Sequence, residues 1–120
     1  MSILIVDDSK AMRIIVARTL RQAGFGNHAL QEATNGAEAL AAIKGSPPDL
    51  VLCDWNMPEM NGIELLEKLR SAHSKVKFGF VTSEASPEMK EKAEAAGALF
   101  VITKPFTAEM FQQTLTPVLS

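Results

Sequence analysis

Five short apolar runs alternate with stretches of helical period, and this alternation constrains the fold of the 120-residue chain more than any single residue does. The runs are Ile3 to Val6, Ala29 to Leu30 with its neighbours, Leu50 to Cys53, Phe78 to Val81, and Leu99 to Ile102. Four of them are apolar throughout, the pattern of strands covered on both faces. Strands separated by helices pair in parallel, because parallel neighbours need a long crossover connection. The expected architecture is therefore α/β, with helices on both faces of a parallel sheet.

The helix limits are written in capping residues. Ser9 should cap a first helix that buries Met12, Ile15, Val16, Thr19, Leu20 and Ala23 at i, i+3, i+4, i+7 spacing and stops at Gly24. Asn35, with Glu38 as a partial capping box, starts a second helix that should bury Ala37, Leu40 and Ala41 and end at Lys44 and Gly45. Asn61 and Glu64 repeat the device before Leu65, Leu66 and Leu69. Ser86 and Pro87 read as the cap and first residue of a fourth helix, and Thr107 as the cap of a fifth. In the second apolar run Gln31 and Glu32 break the pattern, which places that strand at an edge and agrees with the strand order 2-1-3-4-5.

Charge and cysteine content exclude several function classes. Lys and Arg total 12 against 14 Asp and Glu, a net charge of −2, so no broad basic surface exists for direct nucleic-acid binding. Apolar runs of four to five residues fall far short of the ~20 that span a bilayer. Cys53 is the only cysteine, which excludes a disulfide framework and any zinc site with two or more thiolates. One domain over residues 1–120, cytoplasmic and without a membrane segment, is the expectation.

In an open α/β sheet, ligands bind beyond the carboxyl ends of the strands, where strand order reverses. Strand 1 ends in Asp7 and Asp8, and strand 3 in Asp54. Converging carboxylates repel one another unless a cation or protons relieve them, and Mg²⁺ suits such a site because it prefers oxygen donors and commonly shares them with a phosphate. Thr82 follows strand 4 and Lys104 follows strand 5, adding a hydroxyl and an ammonium at the same edge. Singly, an Asp-Asp pair reads first as a turn with a helix cap, Asp54 as a loop acid, and Lys104 and Thr82 as ordinary strand-end residues. Together they read as a phosphoryl-transfer site.

At these residues the chain resembles the CheY-like receiver domain of two-component response regulators. The matching segments are ILIVDDS at 3–9, LVLCDWNMPEMNGIELL at 50–66, VTSEA at 81–85, AAGA at 95–98 and KPFTAEM at 104–110, covering essentially the whole chain. The resemblance implies a flavodoxin-like, doubly wound five-stranded parallel sheet of order 2-1-3-4-5 with five helices. It implies a phosphorylation-activated switch in which Asp54 accepts a phosphoryl group from a sensor histidine kinase or phosphotransfer protein. Asp8 and Asp54 would hold Mg²⁺ with the backbone carbonyl of Asn56, Asp7 acting largely through a water. Lys104 would pair with Asp54 and then with a phosphoryl oxygen, Thr82 would turn its hydroxyl to the phosphoryl group, and the Lys104–Pro105 bond would be cis. Asn56 and Glu84 stand at the positions that tune dephosphorylation, and they predict a phosphorylated state lasting seconds to minutes. The change would be relayed to the face of helix 4, strand 5 and helix 5, with a chemotaxis-type role open and the chain a monomer or a weak phosphorylation-dependent dimer.

The output side departs from the family pattern. Val101 occupies the aromatic switch position, with Phe100 beside it on the opposite face of the strand, and Ser86 and Pro87 replace a basic pair. Trp55 is expected to be a partly exposed loop residue, Cys53 buried strand packing, and His28 and His73 surface residues. Two other functions share parts of the pattern. An Mg²⁺-dependent phosphatase with an aspartyl nucleophile would need a second acid where Asn56 stands, and a phosphorylation-independent interaction module would have no use for the acid, threonine and lysine set. A stand-alone receiver with no turnover substrate is the expected reading.

Overall fold

The computed structural model describes residues 2–83 and 86–119. In chain order the elements are β1 (Ser2–Val6), α1 (Lys10–Leu20), β2 (Ala29–Ala33), α2 (Gly36–Gly45), β3 (Leu50–Cys53), α3 (Gly62–Ser71), β4 (Lys77–Thr82), α4 (Pro87–Ala96), β5 (Val101–Thr103) and α5 (Ala108–Leu119). All strand pairs are parallel, in the order β2-β1-β3-β4-β5. The doubly wound sheet and the edge position of β2 are as the sequence predicts, and β2 is exposed at four of its five positions to at least an intermediate degree.

Side chains alternate across the sheet and divide the core into two layers. Leu4, Val6, Val51, Cys53, Phe78 and Phe80 face one layer, with Ala39 and Ile43 of α2 and Leu65, Leu66 and Leu69 of α3. Ile3, Ile5, Leu50, Leu52, Val81 and Ile102 face the other, with Val16 and Leu20 of α1 and Phe111 and Leu115 of α5. A buried Leu or Phe contributes roughly 1.5–3 kcal/mol relative to exposure, so each layer fixes the register of every strand it covers.

The caps fall where the sequence places them. Ser9, Asn35, Asn61 and Ser86 each accept a backbone N–H with the side chain, and Asn61 with Glu64 forms a reciprocal capping box. Thr107 Oγ1 accepts from Met110 N–H at 3.2 Å. At Asn35 the box is partial because Glu38 Oε1 accepts from Thr34 N–H instead, at 2.9 Å. The Lys104–Pro105 peptide is cis.

Several expected details are corrected. Ile15 is 43% exposed, while Arg13 takes a place on the buried face with Val16 and Leu20, three and seven residues further along. The first helix does not simply stop at Gly24: it passes into a π-helical turn, Arg21–Phe25, in which Gly24 adopts φ 97°. In α2 the buried residues are Gly36, Ala39 and Ile43, whereas Ala37 and Ala41 are exposed, because a helix rich in alanine carries little contrast between its faces. Leu99 is 54% exposed and β5 begins at Val101, since this edge strand has a neighbour on one side only.

Trp55 is also corrected. It is only 9% exposed and packs its ring on Phe80, with centroids 4.9 Å apart, so it belongs to the core layer beneath the site. His73 is exposed, whereas His28 is half-buried against Phe25 at 5.8 Å.

Candidate functional site

Parallel register brings the acids together. Val6 is paired with Cys53, so Asp7 and Asp54 leave their strands side by side, and Asp54 N–H donates to the Val6 carbonyl at 2.9 Å. Single oxygens of Asp7, Asp8 and Asp54 lie within 4.8 Å of one another. Asp7 is buried, Asp54 half-buried and Asp8 exposed, which grades the cluster from the sheet edge outward to solvent.

The same geometry supplies the counter-charge. Thr82 and Thr103 are paired at the ends of β4 and β5, and the next residue, Lys104, donates its N–H to the Thr82 carbonyl at 2.8 Å. From there the ammonium reaches back across the sheet edge to Asp7 Oδ2 at 3.5 Å and Asp54 Oδ1 at 3.8 Å. Pairing with Asp54 is what the family resemblance implies, and the shorter contact to Asp7 is additional. Thr82 is fully buried at the end of β4, and Asn56 is exposed in the loop after Asp54. Glu84 lies outside the described residues.

Burial pushes the Asp54 carboxyl above its ordinary pKa, the Lys104 ammonium opposes that shift, and the charges of Asp7 and Asp8 add to it. With one ammonium against three carboxylates, the ionised cluster keeps two uncompensated negative charges. A set made of oxygen donors, partly desolvated and net negative, fits a hard divalent cation such as Mg²⁺ and is poorly matched to softer metals.

Glycine shapes the floor of the site. Gly62 N–H donates to the Trp55 carbonyl at 2.8 Å, and a Cβ at Gly62 would strike the backbone oxygen of Asp54 and approach Phe80 Cε1 to 2.7 Å. The Asp54 loop can fold over α3 only because this residue has no side chain. Beside Lys104 a groove of about 480 Å³ opens, lined by Met12, Ile15, Ser83, Lys104, Pro105 and Phe106.

One charged residue close to the site has no counterpart in the sequence reading. Arg13 is buried, and its Nη1 donates to the Asp7 carbonyl at 2.7 Å while its Nε donates to Glu32 Oε1 at 2.8 Å. Its signal was its phase, since it falls three and seven residues before the buried Val16 and Leu20. On the output side, Val101 packs with the α3 and α4 layer and Phe100 with the opposite one, as strand alternation predicts. The Phe100 ring lies over Gly79, where a Cβ would collide with it.

Comparison with known proteins agrees with this geometry. A family model described as the response regulator receiver domain matches residues 3–116. The chemotaxis protein CheY-3 of Vibrio cholerae is 42% identical over 120 residues, covering 98% of this chain and 91% of that protein. CheY of Pseudomonas aeruginosa is 39% identical over 121 residues, covering 98% of this chain and 95% of that protein. The crystallised Vibrio cholerae chemotaxis protein CheY4 superposes with a TM-score of 0.86 at 36% identity, covering 98% of both chains. The chain therefore belongs to the receiver domains of two-component response regulators, phosphorylation-activated signalling switches.

Proposed function

We propose that Asp54 is the phospho-acceptor of a single receiver unit spanning residues 1–120, and that a sensor histidine kinase or phosphotransfer protein of the cytoplasm is its donor. The observation that carries this reading is the meeting of Asp54 with Asp7 and Asp8 within 4.8 Å, under an ammonium 3.8 Å from the Asp54 oxygen. The Asp54 carboxylate oxygen attacks the phosphorus of a phosphohistidine. An O–P bond forms, the P–N bond breaks, and the electron pair returns to the imidazole, leaving an acyl phosphate on Asp54.

Asp8 and Asp54, with the Asn56 carbonyl, would hold Mg²⁺, and Asp7 would complete the acid set through a water. Bound there, Mg²⁺ would neutralise charge on the transferring phosphoryl oxygens. Lys104 exchanges its contact with Asp54 for one with a phosphoryl oxygen while keeping Asp7 as its second partner. Thr82 turns its hydroxyl toward the phosphoryl group and draws the loop after β4 inward. Asn56 and Glu84 set the lifetime of the acyl phosphate by controlling how water reaches it.

Moving a two-state domain from about 1:99 to 99:1 takes roughly 5.5 kcal/mol of differential stabilisation, which several charge-assisted contacts to one phosphoryl group can supply. The change is relayed to the face of α4, β5 and α5. With Val101 at the usual aromatic position, it is carried there without an aromatic rotamer change in that side chain. The domain catalyses its own phosphorylation and dephosphorylation and has no turnover substrate.

The test is incubation with Mg²⁺ and acetyl phosphate, or with the beryllofluoride mimic, followed by Trp55 fluorescence and backbone NMR. Saturable changes that spread to β5 and vanish in Asp54→Ala are expected. Equal responses in the wild type and Asp54→Ala would sink the assignment, and rapid Asp54-dependent hydrolysis of a small phosphomonoester would favour a phosphatase instead.

A further inference from the structure

Arg13 is a buried cation that the phosphoryl chemistry does not use. Its guanidinium bridges two elements, donating to the Asp7 carbonyl at the end of β1 (2.7 Å) and to Glu32 on the edge strand β2 (2.8 Å). Charge-assisted hydrogen bonds of this kind are short and strong, and the planar fork of an arginine fixes their direction as well as their length.

The Asp7 carbonyl is a consequential acceptor. It lies in the same rigid peptide plane as the Asp8 amide, so holding it sets the direction in which the chain leaves β1. Asp8 is exposed, with its carboxylate at the outer side of the acid cluster. The rest of Asp7 is tied down as well: its N–H donates to the Ala33 carbonyl at 3.2 Å, and its Oδ1 accepts from Ser9 N–H at 2.9 Å. Oδ2 faces the Lys104 ammonium at 3.5 Å. The bond from Arg13 fixes the remaining polar group of that residue.

We propose that Arg13 is a positioning residue of the acid cluster: by clamping the Asp7 carbonyl to Glu32 it holds Asp7 and Asp8 in the arrangement that receives a divalent cation before the cation arrives. This rests on the reading of Asp7, Asp8 and Asp54 as an Mg²⁺ site. Two effects of opposite sign separate positioning from charge. As a nearby positive charge Arg13 opposes cation binding, so removing its charge alone would tighten Mg²⁺ binding. Losing the clamp loosens the ligands and weakens binding.

The experiment is an Mg²⁺ titration of the full chain followed by amide shifts, for the wild type, Arg13→Met, Arg13→Lys, Glu32→Gln and Asp8→Asn. Arg13→Met should weaken Mg²⁺ binding about tenfold, the usual scale for a group that orients a metal ligand. Arg13→Lys keeps the charge but loses the fork, and should bind Mg²⁺ more weakly than the wild type, with no tightening from charge removal to offset the lost clamp. Glu32→Gln keeps an acceptor for Nε and should bind as the wild type does. In the metal-free spectra the Asp8 and Ser9 amides should move in Arg13→Met and stay in place in Glu32→Gln. Unchanged or tighter Mg²⁺ binding in Arg13→Met overturns the proposal. Should that variant fail to fold, Arg13→Lys decides it: weaker binding than the wild type supports the clamp, and equal or tighter binding overturns it. A wild type that does not bind Mg²⁺, or an Asp8→Asn variant that binds it unchanged, overturns the metal-site reading and this proposal with it. Normal Mg²⁺ binding by wild type and its loss in Asp8→Asn, with Arg13→Met unchanged, overturns the role of Arg13 alone.

Discussion

The Lys104 ammonium lies nearer to Asp7, at 3.5 Å, than to Asp54, at 3.8 Å. A lysine bridging two acids can release one of them to a phosphoryl group and remain anchored by the other. Before phosphorylation the same ammonium occupies part of the field that a divalent cation would use.

Lys104→Met should therefore bind Mg²⁺ more tightly than the wild type, by roughly three- to tenfold, because a competing positive charge is removed from a partly desolvated site. It should also lose the NMR response of β5 to beryllofluoride. Calorimetric titration with Mg²⁺ checks the first expectation, and weaker binding in the variant would contradict the competition.

The pKa of Asp54 gives a pH dependence with a definite sign. Burial raises it in the folded state, with Asp7 and Asp8 adding to the shift, so the folded protein holds this proton to higher pH than the unfolded chain does. Above the folded pKa the charge is a net burden on the fold, and that burden fades as pH falls toward the ordinary carboxyl value. In the absence of divalent cations, Asp54→Asn should be more stable than wild type by about 1 kcal/mol at neutral pH. Urea melts at neutral and acidic pH should show the gap closing on acidification.

Gly62→Ala should destabilise the protein by about 2 kcal/mol, as overpacking at a rigid contact does. The added methyl meets the Asp54 backbone oxygen and the Phe80 ring, both held by the core. Because it presses on Asp54 itself, the variant should also bind Mg²⁺ more weakly. A urea midpoint equal to wild type would show that the loop yields.

Cys53 should resist alkylation in the native state. It is fully buried in β3, and burial first, then the Asp54 and Asp7 charges, raises its thiol well above the usual range. Labelling with a thiol reagent should follow the urea unfolding curve, with the native protein unmodified over the time in which the unfolded chain reacts completely. Rapid labelling of the native protein would show that β3 opens locally.

The element order, the parallel sheet, the helix caps and the convergence of Asp7, Asp8, Asp54, Thr82 and Lys104 on one edge are legible in the amino-acid sequence. Caps and strands depend on local chemistry, since a capping side chain reaches a backbone N–H three residues away and apolar runs read as strands in their own right; the parallel sheet and its shared edge then follow from the alternation of strands and helices. The burial of Trp55, the exposure of Ile15 and Leu99, and the position of Arg13 behind the acids are set by packing between elements remote in the chain. Each of these depends on which distant element lies opposite. Trp55 is covered by Phe80 of β4, and Arg13 is held by Glu32, 19 residues further along the chain. The alanine-rich second helix shows the same limit, because apolar contrast too weak to orient a helix leaves its rotation to the sheet it packs against.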